Sequence, residues 1–267
     1  MSAQKLGREL RSIAEQLARS AGDMALNGRK SGDITATTKS SPTDLVTQYD
    51  KASEEMVTAG LRELRPDDGI VGEEGASREG TSGITWHIDP IDGTSNFFFD
   101  IPMWAVSIGA VDENGPLAGA VYVPALGEMF SASRGEGATL NDSPIAARNN
   151  SLLSDALVGT GFSYRANERG THARRVARMI TDVRDIRRLG AAAIDLCFVA
   201  CGRYDAYFEE NLQSWDLVSG QIIATEAGAV VTDFAGNTVT PRQVLATQPG
   251  VQSALIQLIA ESTEKSS

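Results

Sequence analysis

The stretch Trp86-His87-Ile88-Asp89-Pro90-Ile91-Asp92-Gly93-Thr94-Ser95-Asn96-Phe97 constrains this chain more than any other. Ile84 to Ile88 is apolar and β-branched enough for a buried strand. Gly93-Thr94-Ser95-Asn96 is rich in residues that start helices. A strand therefore delivers two acids, Asp89 and Asp92, to its carboxyl end, and backbone N–H groups follow at once. Two acids around a proline repel each other unless something neutralises them. Carboxylates suit a hard cation such as Mg²⁺, and N–H groups at a helix start suit a phosphate. The stretch points to metal-assisted chemistry on a phosphate ester.

Other acids follow strands or open helices. Glu73 ends the short apolar segment Gly69-Ile70-Val71-Gly72, and Asp216 stands in Ser214-Trp215-Asp216-Leu217 ahead of a helix. Alone, Glu73 reads as a solvated loop acid, and Ser214 or Asp216 as a helix cap. Other phosphate machinery is missing. The sequence has no Gly-x-x-x-x-Gly-Lys-Ser/Thr loop and no Gly-x-Ser-x-Gly elbow, and Gly159-Thr160-Gly161 lacks the third glycine of a dinucleotide fingerprint. The spacing of Asp89 and Asp92 fits neither an EF-hand loop nor a covalent aspartyl nucleophile.

Along the chain, residues 5–27 predict an amphipathic helix with Leu6, Leu10, Ile13, Leu17, Ala21 and Met24 on one stripe. Residues 28–41 read as a loop or hairpin, and a second helix is expected from Asp44 to Leu64. Residues 75–83 should be a mobile loop. Trp104–Val111, Leu117–Val123 and Glu128–Ser133 predict antiparallel strands, the first two joined through Asn114-Gly115. After residue 150 the pattern alternates: strands at 156–161, 185–189, 204–208 and 229–232, helices at 169–183, 191–200, 215–227 and 251–260, then a polar tail. The expected domains are an N-terminal α+β lobe, 1–150, with most of the acids, and a C-terminal α/β lobe, 151–267, with Asp216; the boundary falls near 145–155.

A net charge of −11 argues against nucleic acid as a partner, because nothing basic offsets phosphate repulsion. A small phosphorylated substrate stays open, since bound divalent cations reverse the local field. Residues 1–30 lack the apolar core of a signal peptide, and no apolar run reaches transmembrane length. Cys197 and Cys201, four apart on an expected helix, read as core thiols in a reducing cytoplasm. With only His87 and His172, a histidine-rich zinc site is not expected.

Gly72-Glu73-Glu74, Trp86-x-Ile88-Asp89-Pro90-Ile91-Asp92-Gly93-Thr94-x-Asn96-Phe97, and Trp215-Asp216-x-x-x-Gly220 with Glu226-Ala227-Gly228 resemble the signatures of the inositol monophosphatase family. The likeness runs from Ser41-Pro42-x-Asp44-Leu45-Val46-Thr47 to the last strands. It implies a Mg²⁺-dependent, lithium-sensitive, sugar-phosphatase-like enzyme. The implied fold is a layered αβαβα sandwich of mixed α+β and α/β character, with an antiparallel first sheet and a mixed second sheet. By that resemblance Glu73, Asp89 and the Ile91 carbonyl match ligands of one Mg²⁺, and Asp89, Asp92 and Asp216 match those of a second. Glu73 matches a water-mediated contact to a third ion. Gly93 and Thr94 match the phosphate seat. Thr94, with Glu73 or Asp50, matches the groups that orient or deprotonate the attacking water, without a phosphoenzyme. Lys39 and Asp44 match a supporting network. Glu209, Gly190 and Ala192 match contacts to the sugar, alongside Asp92 and Asp216. The implied substrate is an inositol monophosphate such as myo-inositol 1-phosphate, and a cytoplasmic homodimer is expected.

Related phosphatases act on histidinol phosphate, 3′-phosphoadenosine nucleotides or fructose 1,6-bisphosphate. Tyr164, Arg165 and Arg187 would serve such a choice if they selected a second anionic group; otherwise they are solvated surface. Phe97-Phe98-Phe99 departs from the more polar family segment; core packing is the first expectation for such a run, a pocket rim or a subunit interface the alternatives. From a different class, a non-catalytic metal-binding regulatory module would share the fold without the activity.

Overall fold

The computed structural model describes residues 3–39, 41–149 and 152–264. Residues 150–151, inside the expected lobe boundary, and 265–267, the end of the polar tail, lie outside the described residues. The chain opens with α1 (Ala3–Ser31), the hairpin of β1 (Ala36–Thr38) and β2 (Leu45–Thr47), and α2 (Gln48–Leu64). A sheet of eight strands follows: β3 (Gly69–Gly72), β4 (Ser77–Arg78), β5 (Thr85–Asp92), β6 (Ala105–Asp112), β7 (Gly115–Val123), β8 (Glu128–Ser133), β9 (Ala138–Leu140) and β10 (Ser143–Ile145). The short α3 (Thr94–Phe98) interrupts it after β5. Its order is β10-β9-β8-β7-β6-β5-β3-β4, antiparallel except where β3 runs beside β5.

The second half contributes β11 (Leu157–Thr160), α4 (Ala166–Met179), β12 (Asp185–Arg187), α5 (Ala192–Ala200), β13 (Ala206–Glu210), α6 (Ser214–Glu226), β14 (Val230–Thr232), β15 (Gln243–Thr247) and α7 (Gln252–Glu264). Its five strands run in the order β12-β11-β13-β15-β14, with parallel pairs at β11 and antiparallel pairs at β15. The layers are α1–α2, first sheet, α5–α6, second sheet, α4–α7. Each helix layer joins a core: Leu10, Leu17 and Val57 meet Trp86 and Ile108 on one face of the first sheet. Leu196, Ile222 and Ile223 fill the space between sheets. Met179, Leu255 and Ile259 cover the far face of the second.

Several expectations change. α2 begins at Gln48, not Asp44, because Leu45-Val46-Thr47 pairs with residues 36–38. Thr47 then caps the helix: its hydroxyl accepts from Tyr49 N at 3.1 Å, while Asp50 returns to Thr47 N at 2.8 Å. α1 runs on to Ser31, and the expected loop at 75–83 holds the two-residue β4. β15 has no counterpart in the sequence pattern: it is five residues long and its partners are β13 and β14. Of the three phenylalanines only Phe97 is core; Phe98 is half-buried and Phe99 is 67% exposed, because α3 ends after a single turn.

Candidate active site

The site begins with an irregularity in β5. Side chains alternate along a strand, so residues three apart face opposite ways. Trp86 and Ile88 point to the α1–α2 face, and Asp92 would follow them in an unbroken strand. The pairing with β6 shifts between Asp89 and Asp92. Pro90 lies in the break, where a missing N–H costs the ladder nothing. Ser53 Oγ of α2 holds the Pro90 carbonyl at 2.9 Å, and Ile91 N donates back to Asp89 Oδ1 at 3.0 Å. The bulge thus turns Asp89 and Asp92 into one cavity.

That cavity, of about 850 Å³, is lined by Glu73, Asp89, Ile91, Asp92, Gly93, Thr94, Glu209 and Asp216, with Lys39, Asp44, Gly190 and Ala192. Glu73 follows β3, and its N–H reaches the Ile88 carbonyl at 3.1 Å, which sets it beside the β5 acids. Buried Glu54 of α2 braces the same turn, accepting from Glu74 N and Ala76 N, each at 2.8 Å. Sequence reasoning missed Glu54; a helical glutamate carries no signal that its partner is a distant loop. Asp92 accepts from Ala192 N at 3.1 Å and Ala193 N at 2.7 Å, the start of α5, where a carboxylate meets the positive helix end.

Asp216 caps α6, accepting from Gln213 N at 2.6 Å through Oδ2, and still faces the cavity. The capping reading therefore holds, and it leaves the Asp216 side chain on the cavity wall. Ser214 is no cap: its Oγ lies 2.8 Å from His87 Nδ1 on β5. Ser107 Oγ of β6 donates to the Trp215 carbonyl at 3.2 Å. The helix can come so close because β6 and β7 present glycine there. A Cβ at Gly109 would stand 2.5 Å from Val218 Cγ1, and one at Gly119 2.8 Å from Ser219 Cα.

Asp50 lies behind the cavity wall rather than on it. Its Oδ1 accepts from Thr94 Oγ1 at 2.9 Å, and the same hydroxyl reaches the Ile91 carbonyl at 3.0 Å. Burial pushes the Asp50 pKa up to about 6. Glu209 receives the Tyr207 hydroxyl at 2.5 Å. A Cβ at Gly161 would sit 1.9 Å from its Oε2, so Gly161 keeps that space open and is no part of a dinucleotide loop. Tyr164 and Arg165 line the cavity, Arg165 paired with Glu168 at 3.2 Å. Arg187 does not: it is exposed and turned to Asp185 at 2.5 Å, its neighbour Arg188 taking the inward place. Cys197 is buried in the core and Cys201 half-buried.

The charge of the cavity is unbalanced. Lys39 reaches Glu73 at 2.8 Å and also bonds Glu74. Burial and then mutual repulsion hold the Glu73, Asp89 and Asp92 carboxyls above their usual range, and burial lifts Asp216 to about 6. Asp89 lies close enough to Glu73 and Asp216 for the three carboxyls to influence one another's protonation. Among the described residues no three such side chains close on one point as a finished metal cage. The donor set is nonetheless oxygen-only, desolvated and short of positive charge, which is the chemistry of a Mg²⁺ site rather than a zinc site.

These acids keep their protons to higher pH folded than unfolded. Their favourable share is present near pH 4 and is lost as pH rises through the folded values. Metal-free protein should lose thermal stability between about pH 5 and pH 8, and Mg²⁺ should raise Tm more at the higher pH. Calorimetry with chelator and with Mg²⁺ checks both; a metal-free Tm that climbs over that range contradicts the account.

A layered αβαβα fold closing on an acid cavity with a hydroxyl and a glycine turn at its edge defines the class, a phosphomonoester hydrolase. A sequence model described as the inositol monophosphatase family matches residues 7–267. The chain belongs to that family, whose members are generally Mg²⁺-dependent. The inositol-1-monophosphatase SuhB of Mycobacterium tuberculosis H37Rv is 42% identical over 269 residues, covering 92% of each chain. The Nus factor SuhB of Pasteurella multocida is 38% identical over 251 residues, covering 92% of this chain and 94% of its own. The crystal structure of the extragenic suppressor protein suhB of Bartonella henselae superimposes with a TM-score of 0.90 at 32% identity, over 94% of this chain and 98% of that one. Among the described residues no helix is long and apolar enough to cross a membrane.

Proposed function

We propose that the protein is a Mg²⁺-dependent phosphomonoesterase for small polyol phosphates, with myo-inositol 1-phosphate as substrate, acting as a cytoplasmic homodimer of two-lobed chains (1–150 and 151–267). One observation carries the reading: the Thr94 hydroxyl, backed by Asp50, shares a cavity with four carboxylates, of which Glu73 alone has an ion-pair partner among the described residues, Lys39. Glu73, Asp89 and the Ile91 carbonyl are the groups that would hold one ion, and Asp89, Asp92 and Asp216 a second, with Glu73 near a third. Bound there, Mg²⁺ supplies an acidified water and neutralises phosphate charge.

The chain's own groups do the rest. Asp50 draws on the Thr94 proton, so Thr94 Oγ1 is an acceptor for a proton from the attacking water, with Glu73 close by. Gly93 and Thr94 offer N–H groups to phosphate oxygens; α3 is a single turn, so these act as individual donors rather than through a helix dipole. Glu209 accepts from polyol hydroxyls, and Gly190 and Ala192 leave the ring space.

Phosphate release with Mg²⁺ from myo-inositol 1-phosphate, histidinol phosphate, fructose 1,6-bisphosphate and 3′-phosphoadenosine nucleotides tests the reading, with added Li⁺ expected to inhibit. Release that favours myo-inositol 1-phosphate supports it. The name Nus factor SuhB, carried by relatives in Pasteurella multocida and Vibrio cholerae, favours a second reading in which the chain also serves as a Nus factor. Failure to release phosphate from any of the panel would leave a non-catalytic role of that kind in its place.

A further inference from the structure

The face of the first sheet that α6 covers carries one polar ring in a row of small and apolar residues. The register places Val71 of β3, His87 of β5, Gly109 of β6, Gly119 of β7 and Ala132 of β8 side by side. For the strand alone a β-branched side chain would serve better than an imidazole, and a polar ring on a packed face costs stability unless it finds a partner. Among the described residues that partner is Ser214, the first residue of α6, its Oγ 2.8 Å from His87 Nδ1.

Each member of the pair stands two residues before a carboxylate of the cavity. β5 keeps regular pairing with β6 from Thr85 to Asp89, so His87 and Asp89 project from the same face. Ser214 precedes Asp216, whose Oδ2 accepts from Gln213 N at 2.6 Å. The bond therefore ties the strand that carries Asp89 to the helix start that carries Asp216. A second tie runs beside it: Ser107 of β6, in register with Asp89, donates to the Trp215 carbonyl at 3.2 Å. Neither His87 nor Ser214 lines the cavity, so what they do there they do through the acids.

Ligand distances in a metal site hold to within about 0.2 Å, and outer groups that orient the ligands typically change metal affinity by about 10- to 100-fold. We infer that His87 and Ser214 are positioning residues for the ion site of Asp89, Asp92 and Asp216: their hydrogen bond fixes how far Asp216 stands from the β5 acids. This rests on the metal site proposed above and adds the pair that holds it in shape.

Isothermal titration of Mg²⁺ into the metal-free protein tests the inference without turnover. Ser214→Ala and His87→Leu should each weaken Mg²⁺ binding by about 10-fold, and the double variant should be no weaker than either single one. His87→Asn should stay near the wild type, because a carboxamide can donate or accept and so serves whichever tautomer the ring adopts. A merely structural bond would lower the metal-free Tm by a few degrees and leave Mg²⁺ affinity unchanged. Unchanged affinity overturns the inference, as do additive losses in the double variant or a His87→Asn as weak as His87→Leu, and each of these leaves the phosphatase reading intact. A wild type that binds no Mg²⁺ sinks that reading, and the positioning role with it.

Discussion

Asp89→Asn is expected to lower Mg²⁺-dependent phosphate release by about 10³-fold or more, on the scale of losing a preorganised electrostatic group. Asp89 is central among the acids: it shares the cavity and an electrostatic influence with Glu73 and Asp216, and the bulge with Asp92. Asparagine keeps the shape and the Oδ1 acceptor for Ile91 N, so the bulge should persist. It removes the charge on which both proposed ion sites depend. The same change relieves repulsion among buried acids, so the metal-free variant should melt higher than the metal-free wild type above about pH 7. Loss of turnover with a raised metal-free Tm separates a missing ligand from a misfolded protein. Near-normal turnover would sink the assignment of Asp89 as a shared ligand.

Trp86→Ala is expected to cost about 3–5 kcal/mol of stability, a large share of the roughly 5–15 kcal/mol that holds a folded protein together. Trp86 is fully buried between the first sheet and the α1–α2 layer. Its Nε1 donates to Asp68 Oδ2 at 2.9 Å, joining a buried acid that Arg65 holds at 2.8 Å and Ser82 at 2.6 Å. Alanine leaves a cavity where the strand that carries Asp89 packs. Trp86→Phe keeps most of the volume and loses one hydrogen bond, about 1 kcal/mol. Denaturant melts of the two variants check the order; equal losses would show that the hydrogen bond, not the packing, holds the site.

Much of the fold was legible because its elements obey simple periods. The α1 stripe, the β6–β7 hairpin and the α6 stop at Gly228 each follow from neighbours a few residues apart. Even so, the buried line of α1 runs through Ala14, Ala18 and Ala21, with Leu6 and Ile13 at its edge, since small residues let the helix lie close to β7. Short strands were the weak point. β15 shows its nature only beside β13 and β14, and Leu45-Val46-Thr47 only beside residues 36–38. The exposure of Phe98 and Phe99 escaped for the same reason: a run of aromatics does not say where its helix ends.

The sequence alone singled out the residues proposed to carry the chemistry. Asp89, Asp92, Gly93 and Thr94 sit on one turn, Glu73 ends its strand, and Asp216 opens a helix, all visible as residue types at fixed spacings. Their assembly was decided elsewhere. Two acids three apart on a strand face opposite ways until a bulge at Pro90, held by Ser53 of another helix, turns them together. Asp216 reaches them only because glycines in β6 and β7 let α6 lie against the sheet. Spacing along a chain is local, whereas the meeting of side chains depends on register and on how closely layers pack. Those distances also chose Arg188 over Arg187 as the arginine that enters the cavity.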